Sequence, residues 1–76
     1  LMKYFNNNEK IYWWKISSTE YGIEFINFPK MKNFLKKEKL PLFYEASFQK
    51  EKTTAVVVSS LKKRDEIIKK IKALYK

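Results

Sequence analysis

The stretch Thr53–Lys76, TTAVVVSSLKKRDEIIKKIKALYK, decides the fold of this chain. Its segment Ala55–Val58 is rich in β-branched residues and predicts a strand. Ser59 or Ser60 then supplies a helix N-cap. Apolar residues recur at helical spacing from Leu61 to about Tyr75, which predicts an amphipathic helix. The apolar stripe of that helix consists of Leu61, Ile67, Ile68, Ile71, Leu74 and Tyr75.

Three further strands are predicted upstream of this unit. Alternation of side chains with a period of two in Ile11–Ser17 and in Tyr21–Ile26, across a turn at residues 18–20, predicts a β-hairpin. Leu42–Phe48 alternates in the same way and precedes a charged turn at residues 49–52. The sequence therefore predicts two hairpins, each followed by a helix.

The first helix is predicted between the hairpins. Asn27 suits a helix N-cap and Pro29 suits a first turn. We expect the helix to end near Lys39, before Pro41. Its apolar face consists of Phe28, Met31, Phe34 and Leu35.

These elements predict an α+β fold in the order ββαββα, with a four-stranded antiparallel sheet and two helices on one face. A chain of 76 residues supports one domain with one core. Residues 1–10 are expected to form a flexible or turn-forming start, residues 11–39 the first ββα unit and residues 42–76 the second. An offset of 33 residues aligns Phe28 with Leu61 and predicts an internal duplication, with chance similarity as the alternative.

The two faces of the sheet are predicted from the charged strand residues. Lys15, Glu24, Glu45 and Ser47 indicate a solvated face. On that face we expect an exposed platform of Trp13 and Phe43, beside Ile11 and Ile26, unless Tyr4 and Phe5 fold over it. The face predicted to lie under the helices consists of Tyr12, Trp14, Ile16, Tyr21, Ile23, Phe25, Leu42, Tyr44, Ala46 and Phe48.

The net charge of +9 lies entirely on the predicted helices. The first helical segment contributes +4 and the second +5, while the remaining five lysines and five glutamates cancel. Such a surface suits phosphate backbones, although an AT-rich genome also favours lysine regardless of function. The predicted nucleic-acid-binding residues are Lys30, Lys32, Lys36, Lys37, Lys62, Lys63, Arg64, Lys69 and Lys70.

Arg64 interrupts the apolar side of the second helix. We expect its stem to lie along the core and its guanidinium to reach solvent near the helix start. A carboxylate partner such as Glu45, or a bound anion, is the alternative. Arg64 is also the only arginine, which argues against base-edge readout and for sequence-nonspecific binding.

The residues that common catalytic and metal-binding sites require are absent from the sequence. The chain has no histidine and no cysteine, which removes the commonest general base and the usual zinc ligands. Gly22 is the only glycine, so a glycine-rich phosphate loop is excluded. We therefore expect no catalysis, no metal and no cofactor. With no apolar run near ~20 residues and no signal peptide, we expect a cytoplasmic protein that does not enter the membrane.

The run FYEASFQ, residues 43–49, followed by AVVVSSLKKRDEIIKKI, residues 55–71, resembles the sheet-then-helix portion of LAGLIDADG homing endonucleases. The acidic signature helix that defines that family is missing from the sequence, so the family is not assigned.

The leading interpretation is a non-catalytic, sequence-nonspecific nucleic-acid-binding protein, for DNA or RNA. Its helix lysines would contact phosphates, and Trp13 and Phe43 would stack on bases. The alternative is a small protein-protein interaction module, such as a phage- or mobile-element-encoded inhibitor of a host protein. An acidic protein surface, or a second copy of the chain bound through the open sheet face, would then be the partner.

Overall fold

The computed structural model describes residues 11–48 and 50–74, and confirms the predicted α+β fold with the order ββαββα. Expectations for residues 1–10, for Tyr4 and Phe5, and for Tyr75 lie outside the described residues. None of the described helices is long and apolar enough to cross a membrane. The elements are β1 (Ile11–Ser17), β2 (Glu20–Ile26), α1 (Met31–Glu38), β3 (Leu42–Phe48), β4 (Glu51–Val58) and α2 (Leu61–Leu74).

The four strands form one antiparallel sheet in the order β1-β2-β4-β3. β2 and β4 are central, and Ile23 pairs with Val56 at their contact. β1 and β3 form the two edges. This order places the two hairpins side by side, as is expected for two related ββα units. The duplication itself stays a prediction.

One face of the sheet carries the main core and both helices. Ile23 and Phe25 from β2 are fully buried there, together with Val56 from β4. They pack in one cluster with Ile67 and Ile71 of α2 and with two residues of α1, Met31 and Phe34. Burial of these apolar side chains is the main source of stability for a chain without disulfides.

The predicted start of the first helix is wrong. The backbone N–H of Met31 donates to the carbonyl of Phe28 at 3.0 Å, so residues 28–30 form a turn before α1 begins. Asn27 does not cap α1, because its Oδ1 accepts a hydrogen bond from the Thr54 hydroxyl at 2.6 Å. The asparagine side chain thus joins the end of β2 to β4 instead of the helix start.

The end of α1 and the start of α2 follow the prediction. α1 ends before Lys39, which adopts a left-handed conformation with φ 55°. The N–H of Leu40 then donates to the carbonyl of Leu35 at 3.1 Å, which satisfies a free carbonyl of the last turn. At the start of α2 the Ser60 hydroxyl accepts a hydrogen bond from the N–H of Lys63 at 3.1 Å, so Ser60 is the cap.

The predicted faces of β1, and of β3 from Tyr44 onward, are wrong. In β1, Ile11 pairs with Phe25, Trp13 with Ile23 and Lys15 with Tyr21, so these three residues lie on the helix side. Tyr12 and Trp14 lie on the opposite side. The error arises because large apolar residues occupy both sides of β1, so period-2 alternation does not identify the buried side.

In β3 the inversion begins at Tyr44, because Leu42 pairs with Val56 on the helix side, as predicted. Tyr44 pairs with Ala55 and Ala46 pairs with Thr53, on the side away from the helices. A register shift between Leu42 and Tyr44 changes the alternation within the strand. The faces of β2 were assigned correctly, with Tyr21, Ile23 and Phe25 under the helices.

Candidate functional site

A four-residue ion-pair network joins the two helices. Lys70 Nζ contacts both carboxylate oxygens of Glu38, at 3.0 and 3.1 Å, and a carboxylate oxygen of Glu66 at 3.2 Å. Lys63 lies 3.8 Å from the same two glutamates. Glu38 belongs to α1 and the other three residues belong to α2. The network therefore holds the end of α1 against the middle of α2.

Two members of this network, Glu66 and Lys70, have shifted pKa values. The hydrogen bond from Lys70 and then the positive charge of Lys63 lower the pKa of Glu66. Hydrogen bonds to Glu38 and then to Glu66 raise the pKa of Lys70. Both groups are on the surface, so solvent and salt screen their attraction. The network fixes side-chain positions more than it adds to the free energy of unfolding.

Of the nine basic residues predicted for nucleic-acid binding, six are exposed and have no ion-pair partner within residues 11–48 and 50–74. We call these six residues the helical lysine surface. They come from α1, from the turn before it and from α2. Its members are Lys30, Lys32, Lys36, Lys37, Lys62 and Lys69.

The remaining three predicted residues are engaged in contacts. Lys63 and Lys70 belong to the network with Glu38. The Arg64 guanidinium carbon lies 4.0 Å from the centre of the Trp13 ring, and its Nε donates to Asp65 Oδ1 at 2.9 Å. Only 16% of the Arg64 side chain is exposed.

The expectation that the Arg64 guanidinium reaches solvent is therefore wrong, and the alternative of a carboxylate partner is confirmed with a different residue. The guanidinium lies on an aromatic ring instead of reaching solvent, and its carboxylate partner is Asp65 rather than Glu45. A cation over an indole face is attracted by the negative potential of the ring. This contact fixes the first turn of α2 to the edge strand β1.

The sheet side away from the helices carries a second aromatic cluster, which we call the aromatic roof: Tyr12, Trp14, Phe43 and Tyr44. Trp14 is stacked on Tyr12, with ring centres 5.6 Å apart, and on Phe43, at 6.2 Å. Tyr44 lies 6.2 Å from Trp14 and 5.3 Å from Phe43. Because β1 and β3 are opposite edges of the sheet, these side chains meet above the two central strands.

The residues below the aromatic roof are small or hydrogen-bonded. Trp14 lies over Gly22, and Ala55 is fully buried. Glu24, only 1% exposed, accepts hydrogen bonds from the hydroxyls of Tyr44 and Thr53, each at 2.6 Å. The prediction that Glu24 marks a solvated face is wrong, because the rings cover its carboxylate and two hydroxyls bind it.

The predicted platform of Trp13 and Phe43 does not form. Their exposed fractions are 43% and 48%, but they lie on opposite sides of the sheet. Trp13 is on the helix side below Arg64, and Phe43 belongs to the aromatic roof. One feature of the sequence could have indicated the contact made by Trp14. A glycine in a predicted strand often marks the close approach of a neighbouring group. Here the neighbouring group is Trp14, directly opposite Gly22.

No family model, curated protein or solved structure matches this chain. Within the described ranges, no group of three or more acidic, histidine or cysteine residues lies together as metal ligands would. The site therefore has to be interpreted from its own charges and contacts.

Proposed function

We propose that this protein is a non-catalytic, sequence-nonspecific nucleic-acid-binding protein, and that the helical lysine surface binds phosphates. The observation that carries the proposal is the division of charge between the two helices. Glu38 and Glu66 are held by Lys63 and Lys70, and Asp65 is held by Arg64. The six lysines of the surface keep their charges available for an anionic ligand.

Phosphate binding by lysine has a defined dependence on salt. Each phosphate that is neutralised on B-DNA releases condensed counterions, so log K falls by about 0.9 per contact for each unit of log salt. If all six lysines bind, the slope is about −5. Lysine presents a compact charge without the planar fork of arginine, which suits contacts that do not distinguish sequences.

The test is the binding of labelled nucleic acid, measured by fluorescence anisotropy between about 50 and 200 mM salt. The variant Lys32→Gln/Lys36→Gln/Lys69→Gln removes three charges from the helical lysine surface. Its matched control, Lys15→Gln/Lys50→Gln/Lys52→Gln, removes three charges from exposed positions of the hairpins. We expect the first variant to weaken binding and to flatten the salt slope by about 3, and the control to change both much less.

Two results would overturn the proposal. One is an absence of binding to any nucleic acid at the lowest salt. The other is equal weakening by the two triple variants, which would mean that net charge acts without a defined surface.

A protein partner is the second candidate function. Phe43 is exposed on the side of the aromatic roof and packs there against Trp14 and Tyr44, and exposed apolar groups that lie together are typical of interaction sites. This arrangement favours docking on a host protein, as a phage-like inhibitor would dock, or pairing of two copies through the sheet. Sedimentation equilibrium over a wide range of concentrations tests the dimer, and a constant monomer mass would exclude it.

A further inference from the structure

We infer that the ligand of the helical lysine surface is a double-stranded nucleic acid held by its backbone, and not a single strand with stacked bases. This inference rests on the proposed function and specifies its ligand. It follows from where the structure places charges and aromatic rings relative to each other.

Single-strand binding combines a cationic groove with aromatic side chains on which bases stack. Trp13 and Phe43 are the exposed aromatic residues in the described part of the chain. Phe43 lies on the sheet side opposite to the helices and packs against Trp14 and Tyr44. Trp13 is on the helix side, but the Arg64 guanidinium already lies over its ring. Neither residue offers a base an open ring beside the lysines.

The charges on the side of the aromatic roof have the wrong sign for a phosphate backbone. Glu24 and Glu51 occupy positions on that side in the register of β2 and β4. Lys15 and Lys52, the lysines of the described strands, occupy helix-side positions. A strand that stacked its bases on the roof would therefore place phosphates near carboxylates.

The helical lysine surface instead suits a ligand that presents phosphates at high density without exposing its bases. A duplex carries one negative charge per about 1.7 Å of axis, against about 3.4 Å for one strand alone. A helix of 14 residues such as α2 spans about 21 Å, over which a duplex carries about twelve phosphate charges. Six lysines without aromatic rings for stacking are therefore expected to bind a duplex more tightly than a flexible single strand.

The experiment compares a short labelled duplex with each of its single strands at equal salt, for DNA and for RNA. We expect the protein to bind the duplex about tenfold more tightly, because charge density alone sets the affinity. We also expect tryptophan fluorescence to stay unquenched when an unlabelled oligothymidine is added, because no base stacks on an indole. Phe43→Leu is expected to leave duplex binding unchanged.

The outcomes separate this inference from the proposed function. Equal or tighter binding of the single strand, quenching of tryptophan, or loss of single-strand affinity in Phe43→Leu would overturn the inference and leave nucleic-acid binding intact. If neither form binds at low salt, the proposed function fails as well.

Discussion

Trp14 and Gly22 face each other across β1 and β2, and the indole lies so close over residue 22 that a β-carbon there would come 2.4 Å from ring atom Cζ2. The ring is held at this position by Tyr12 on one side and by Phe43 and Tyr44 on the other. The glycine is therefore required by packing, since any side chain at residue 22 would have to displace a ring fixed by three neighbours.

Replacing this glycine is predicted to destabilise the fold. Gly22→Ala forces Trp14 away from its neighbours, and overpacking of this kind costs about 1–3 kcal/mol in the free energy of unfolding. Urea denaturation measures the loss. In a Trp14→Leu background the same change is expected to cost much less, because the clashing ring is absent. A neutral or stabilising effect of Gly22→Ala in the unmodified chain would contradict the packing.

The buried carboxylate of Glu24 depends on its two hydroxyl donors. Tyr44→Phe removes one of them and leaves a carboxylate oxygen without that hydrogen bond, at a cost of about 1–3 kcal/mol. Thr53→Val, which removes the other hydroxyl, is expected to cost a similar amount. Tyr21→Phe is the matched control, since Tyr21 packs against the main core and its hydroxyl makes no hydrogen bond with the described residues. Equal stabilities of Tyr44→Phe and Tyr21→Phe would argue against the role of the hydroxyl.

The contact between Arg64 and Trp13 is predicted to couple α2 to β1. A double-mutant cycle with Arg64→Met and Trp13→Leu is expected to give a coupling free energy of about 0.5–1 kcal/mol. Arg64→Lys keeps the charge but loses the planar contact, so it is expected to lose part of this coupling. Additive effects of the two single changes would show that the ring and the guanidinium do not interact.

The ion-pair network predicts a defined dependence of stability on pH. The pKa of Glu66 is lowered in the folded chain from its ordinary value of 4.5, so its contribution is present above about pH 4.5 and is lost as pH falls through the lowered pKa. The pKa of Lys70 is raised from 10.5, so its contribution is present below about pH 10.5 and is lost as pH rises through the raised pKa. Glu66→Gln is expected to flatten the acid side of a plot of Tm against pH.

The same network offers a direct check by NMR. The side-chain carboxyl carbon of Glu66 is expected to titrate below 4.5, and to move back toward 4.5 in Lys70→Met and at high salt. Lys69→Met is the matched control, because it removes an equal positive charge from α2 outside the network. A Glu66 carboxyl that titrates at or above 4.5 in the unmodified protein would refute the pairing.

Much of the fold could be predicted because local patterns were consistent along the chain. The bounds of β1 and β3 follow from alternation, and α2 follows from its apolar stripe and the cap at Ser60. The buried face of β1 could not be predicted, because Trp13 and Trp14 are equally apolar. The pairing of β1 with β2 determines which of the two lies under the helices. The start of α1 was missed because Asn27 bonds to Thr54, which is 27 residues away in the chain.

The sequence predicted which types of residue form the candidate site. It did not predict which of these basic residues are engaged in ion pairs. Lysine content identified the helical surface, yet the choice of partners for Lys63 and Lys70 depends on Glu38 from the other helix. Such long-range pairing is set by how the helices pack, which no local pattern encodes. The aromatic roof was missed for the same reason, since its rings come from two strands that are far apart both in sequence and in the sheet.

The position of the aromatic roof has a consequence for how the molecule opens. Its rings come from β1 and β3. If either outer strand detaches, part of the aromatic roof leaves Glu24, and water reaches the Glu24 carboxylate. Hydration of that group favours further separation, and the two hairpins are thereby joined into one cooperative unit. Backbone amides of the two outer strands would then exchange with solvent at similar rates, although some 25 residues of chain and two central strands separate them.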